Sequence, residues 1–158
     1  MTETVDIDRW VQMAEAAIAS RAYYTARAYL ENAMRHHADD PRVLALFGYV
    51  LAMGFRNYVE GIRHISRAIQ IEEYQPRWHV LAAEVHLRWH NRRAALDALN
   101  RALTWDPQYG PAWELRQKMG IRKRPVLPFL PRSHPINVWL GKIRHRLCNA
   151  RKTSGSAR

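Results

Sequence analysis

Three blocks of small and large residues recur along the chain at a nearly fixed interval. Ala26, Leu30 and Ala33 form the first, Gly61, Ile65 and Ala68 the second, and Ala95, Leu99 and Ala102 the third. Offsets of four and seven residues put the three side chains of each block on one face of an α-helix. Successive blocks are 35 and 34 residues apart. The small residues let a neighbouring helix approach closely, and the larger middle residue fills the gap. A second helical pattern precedes each block: Trp10, Met13, Ala14 and Ala17; Leu44, Phe47, Gly48 and Leu51; His79, Ala82, Ala83 and His86. The repeating unit is therefore a helical hairpin of about 34 residues. A lone hairpin exposes an apolar face, so stability must come from stacking on the next one.

The unit resembles the tetratricopeptide repeat (TPR). Phe47-Gly48 stands at that family's Leu-Gly pair. Ala95, Leu99, Ala102 and Pro107, within ALDALNRALTWDP, follow the second half of the pattern, as does NYVEGIRHISRAI at 57–69. A fourth unit opens at GPAWELRQKMG, with Trp113 at the large-residue position, and stops after one helix, capping the stack. The resemblance covers residues 7–119. It departs from the pattern in the longer RHHADDP turn, in an extra residue near Phe55–Asn57, and in His79 and His86 where aromatics are common. It implies an all-α, TPR-like solenoid of about three repeats plus a capping helix.

The same resemblance implies a concave groove lined by the first helix of each unit. Its lining is Asp8, Val11, Glu15, Ile18 and Ala19; Arg42, Ala45, Tyr49, Ala52 and Met53; and Arg77, Val80, Glu84, Leu87 and Arg88. The partner-binding candidates are Arg42, Tyr49, Met53, Arg77, Val80, Glu84, Leu87 and Arg88. Val11, Glu15 and Leu81 stand where a TPR carboxylate clamp needs polar or basic groups, which argues against that clamp. An apolar middle with charged surroundings suits an extended or helical apolar peptide; the competing reading makes several of these residues plain core.

Charge divides the chain. The net charge is +11; residues 1–120 hold 15 Lys and Arg against 14 Asp and Glu, whereas 121–158 hold 10 Lys and Arg and no acid. The basic extension is 120–158. RKRPVLPFLPRSHP at 122–135 carries four prolines and reads as an extended strap. A helix follows over 135–147, with Ser133 or His134 as its cap. Ile136, Trp139, Leu140, Ile143 and Leu147 make an apolar stripe, with Lys142, Arg144, His145 and Arg146 mostly off it. Residues 149–158 read as a disordered basic tail. Candidate contacts are Arg122, Lys123, Arg124, Trp139, Lys142, Arg144 and Arg146. The helix has three readings: docking on the protein's own repeats, lying on an anionic membrane surface, or binding an acidic partner. Nucleic acid is disfavoured, because no stacking aromatics are interleaved with the basic clusters.

Catalytic constellations are missing. His86 and His90 have metal-ligand spacing, but Leu87 stands where a zinc-protease helix needs Glu, and no third ligand is evident. His36, His37, Glu72 and Glu73 read as solvated turn residues. No phosphate loop, dinucleotide fingerprint or nucleophile elbow occurs, and Cys148 has no identifiable partner residue. No enzyme, cofactor or metal site is expected. One cysteine favours a reducing compartment. The acidic N-terminus reads as no signal peptide, and the longest apolar run, Val43 to Phe55, is shorter than the ~20 residues of a spanning helix. The expected location is cytoplasmic, or peripheral to a membrane.

Three roles fit: an adaptor or assembly factor binding a protein segment in the groove and a second acidic surface through the tail; a small chaperone; or a peripheral membrane-associated subunit. DPRVLALFGYVLAMG and QPRWHVLAAEVHLRWHNRRAAL are similar in style to the small type III secretion translocator chaperones, though the Pro-rich basic tail is not expected of those.

Overall fold

The computed structural model describes residues 2–120 and, beyond them, Pro135, Ile136, Trp139, Leu140 and Ile143. Residues 2–120 form seven helices: α1 (Thr2–Ala19), α2 (Tyr23–His36), α3 (Pro41–Phe55), α4 (Tyr58–Ile71), α5 (Pro76–Arg88), α6 (Arg92–Trp105) and α7 (Gly110–Met119). They pair as the hairpins α1–α2, α3–α4 and α5–α6, with α7 packed on α6 and α5. This is the TPR-like solenoid of three repeats and a capping helix that the resemblance implies.

Helices α3 to α6 each start for a local reason. The Asp40 carboxylate accepts the Arg42 and Val43 amides at 2.8 and 3.3 Å, and Pro41 opens α3 with no amide to satisfy. Pro76 does the same for α5. Asn57 and Asn91 cap α4 and α6 by accepting the amides of Glu60 and Ala94. The turns inside the hairpins share one device. Arg21, Arg56 and His90 all adopt left-handed backbone, at φ 60°, 57° and 59°. Each is exposed, and none is glycine, so each turn carries a steric cost of roughly 1 kcal/mol.

The core follows the repeat. Leu30, Ile65 and Leu99, the middle residues of the three blocks, are fully buried. Small residues at the crossings are buried as well, but the second hairpin differs from the others. Where the first has Ala14 and Ala26 and the third Ala83 and Ala95, the second has Gly48 and Gly61. A Cβ on Gly61 would lie 2.6 Å from the Gly48 carbonyl oxygen and 2.8 Å from the Ala52 Cβ. The α3 and α4 backbones therefore touch, which no side chain at these positions permits. Leu81 on α5 packs against buried clusters of the first, second and third hairpins and ties the stack together.

Aromatic pairs join successive hairpins at their turns. Tyr24 meets Phe55 edge-on at 4.9 Å, and Tyr58 stacks on Trp89 at 5.9 Å. Both members advance by 34 residues from one pair to the next. In the third unit the place of Tyr58 is taken by Arg92, which donates to the Met119 carbonyl at 2.5 Å.

Residues 120–158 form a compact unit separate from 1–119. Beyond Gly120, its described residues, Pro135, Ile136, Trp139, Leu140 and Ile143, are helical; Ile136 and Trp139 are exposed, Leu140 and Ile143 half-buried. The predicted strap at 122–135, apart from Pro135, the contacts Arg122, Lys123, Arg124, Lys142, Arg144 and Arg146, and the tail at 149–158 lie outside the described residues. No helix among the described residues is long and apolar enough to cross a membrane.

Candidate functional site: the inner face of the hairpin stack

The first helices of the hairpins pack on one another, α1 on α3, α3 on α5 and α5 on α7. The backbones of the second helices α2, α4 and α6 stay apart from one another. The stack therefore curls with the first helices on its inner, concave side.

The predicted lining separates into two layers. Val11, Ala45, Ala52 and Val80 are buried and belong to the packing between helices, so the apolar middle of the expected groove is closed. Val80 in particular packs with Ala83, Ala95 and Leu99, because the same helical turn that faces inward also contacts α6. It is core, not lining. Leu87 is half-buried against the same cluster. Arg42, Tyr49, Met53, Arg77, Glu84 and Arg88 keep accessible surface.

Polar side chains on this face are largely matched. Arg42 donates to Asp8 across the α1–α3 gap at 2.6 Å and to Asp40 at 3.0 and 3.2 Å. The hydrogen bonds to Asp40 and Asp8 outweigh partial desolvation and hold the guanidinium above its ordinary pKa. Burial alone would raise the Asp40 carboxyl, but the hydrogen bond and charge of Arg42 bring it below its usual range. Arg77 on α5 reaches across to pair with Glu15 on α1. Burial first, then the nearby Glu84 charge, pushes the Tyr49 phenol well up.

At the end of the face where α1, α3 and α5 finish, the pattern changes. A cavity of about 450 Å³ opens there, lined by Ile18, Ala19, Arg21, Tyr23, Tyr49, Met53 and Arg88. Among the described residues neither Arg21 nor Arg88 has an ion pair or hydrogen bond from its side chain. Ile18, Ala19, Tyr49, Met53 and Arg88 are in the lining read from the sequence. Arg21 and Tyr23 are not, because they lie in the α1–α2 turn and just past it, outside the first helix that the repeat pattern assigns to the groove.

The histidines are placed by packing. His79 is buried, with Nε2 3.1 Å from the Glu73 carbonyl oxygen. His86 is half-buried with Nδ1 unpartnered, and burial lowers its pKa. Glu72, although exposed, accepts the Trp78 indole N–H at 3.0 Å. Among the described residues no three His, Cys, Asp or Glu side chains gather as a metal site.

No protein-family model and no curated protein matches the sequence. Solved structures do match the fold. A structure of YrrB, described as a TPR protein with an unusual peptide-binding site, aligns with a TM-score of 0.61 at 18% identity, over 70% of this chain and 57% of its own. The TPR domain of Arabidopsis OM64 aligns with a TM-score of 0.61 at 12% identity, over 75% of this chain and 99% of its own. The Yersinia enterocolitica type III secretion translocator chaperone SycD aligns with a TM-score of 0.59 at 18% identity, over 71% and 84%. The fold of this chain is TPR-like.

Proposed function

We propose that this TPR-like solenoid is a non-catalytic protein-interaction module, an adaptor or assembly factor. It holds a segment of a partner protein on the inner face of α1, α3 and α5, while the basic 120–158 extension contacts a second, acidic surface. The observation that carries the reading is the open cavity bounded by Tyr49, Met53 and Arg88 on a face where Arg42 and Arg77 are already paired. Pre-paired charges hold the surface rigid, which lowers the ordering cost of binding. The peptide-binding description of YrrB supports the same use of the fold.

The likeness to SycD favours a second reading, a chaperone that shields one client chain. Exposed Trp139 and Ile136 keep a third in play, a peripheral anchor on an anionic membrane.

The test compares nuclease-treated purifications of tagged full-length protein, the 1–120 truncation and Met53→Asp, each checked for helical circular dichroism. A partner held at fixed stoichiometry by full-length protein and by 1–120, and lost with Met53→Asp, supports the groove. A partner lost on truncation while 1–120 stays folded moves the function to the extension. A single client that is insoluble alone selects the chaperone. Salt-sensitive binding to anionic vesicles, abolished by Trp139→Asp, selects the membrane.

A further inference from the structure

We infer that the cavity at the C-terminal ends of α1, α3 and α5 is a recognition pocket for an acidic segment of a partner protein, one carrying a carboxylate next to a large apolar side chain. The inference rests on the groove reading above and names the chemistry that the groove selects.

The arginines of the inner face differ in their bonding. Arg42 is held by Asp8 and Asp40, and Arg77 by Glu15. Arg21 and Arg88 line the cavity without a side-chain partner among the described residues. A guanidinium presents five donors in a fork suited to a carboxylate. The partial negative charge at the ends of α1 and α5 favours cations there, but it does not occupy those donors. Glu84, whose charge acts on Tyr49, is not in the cavity lining. Two guanidinium groups and no carboxylate in the lining leave a net positive pocket.

The remaining walls are apolar or aromatic: Ile18, Ala19, Met53 and the rings of Tyr23 and Tyr49. Methionine adapts its shape, and tyrosine offers a rigid face with a polar rim. The volume falls within the about 300–1,000 Å³ typical of ligand pockets. Apolar walls with two convergent cations take an apolar side chain and its neighbouring carboxylate together.

Charge also decides between occupants. The protein's own 121–158 segment holds 10 Lys and Arg and no Asp or Glu side chain, so it lacks the acidic side chain that such a pocket selects. An acidic segment of another protein is the complementary guest.

The experiment selects binders from a displayed library of short random peptides on the full-length protein and measures their affinity for variants. Arg21→Gly removes the guanidinium and suits the left-handed turn; Arg88→Gln removes the second. The expected result is enrichment of Asp or Glu beside Leu, Ile, Phe or Trp. Affinity should fall about tenfold or more with either variant, and also as salt rises. Arg88→Glu should shift the selection toward basic peptides. If the peptides lose binding to Met53→Asp but carry no acidic preference and ignore both arginine variants, the pocket inference is overturned and the groove reading survives. If no peptide binds, or binding ignores Met53→Asp as well, both fall.

Discussion

The first and second hairpins solve the same crossing in opposite ways. At equivalent positions the first places Ala14 and Ala26, both buried in one apolar cluster. The second places Gly48 and Gly61, and its backbones meet directly. Both arrangements carry a fully buried large residue, Leu30 or Ile65, beside the crossing. A repeat therefore fixes the outline of a unit and leaves the distance between its helices to individual residues. Crossing distance in turn determines where the ends of α1, α3 and α5 lie, and these ends frame the candidate pocket.

The largest effect that separates the two hairpins comes from exchanging their small residues. Gly61→Ala forces the α3 and α4 backbones apart and is expected to destabilise the fold by about 1–3 kcal/mol. Ala14→Gly, the reverse change, leaves a small void and loosens α1, costing about 1–2 kcal/mol. Urea unfolding of both variants reads the difference. If Gly61→Ala is neutral, the close α3–α4 contact is not a constraint and the comparison fails.

A smaller effect of opposite sign comes from the turns. Arg56→Gly relieves left-handed strain and is expected to stabilise by about 0.5–1 kcal/mol, despite the greater freedom of glycine in the unfolded chain. Arg21→Gly and His90→Gly should act alike, since the three turns share one backbone conformation. Melting temperatures of the three variants test whether the hairpins are equivalent here, as they are not at the crossing.

The smallest effect concerns the ion pair between Arg77 and Glu15. Both side chains are solvent-accessible, so Arg77→Gln should cost at most about 1 kcal/mol, and less at high salt. A larger loss would mean that the α1–α5 bridge sets the curvature of the stack. That outcome would make the pocket depend on the first and third hairpins together.

The helices and their pairing were legible because helical periodicity is local. Ala26, Leu30 and Ala33 read as one face from sequence alone, and that face is buried. The caps at Asp40 and Asn57 emerged from the structure. So did the left-handed turns, since arginine and histidine carry no signal for positive φ. Val80 and Ala45 read as groove lining because the TPR resemblance places them at inward positions of α5 and α3. Whether an inward residue meets solvent or a neighbouring helix depends on how tightly the hairpins close.

By itself the sequence determined a stack of helical hairpins with a basic extension, because spacing, small residues and charge segregation are properties of the chain alone. Only the tertiary structure decided which inward residues remain open and which charges remain unpaired. Arg42 and Arg88 are alike as residues. The first finds Asp8 a full 34 positions away, and the second finds a cavity. Partners so distant in sequence are set by the curl of the whole array, which no local pattern encodes.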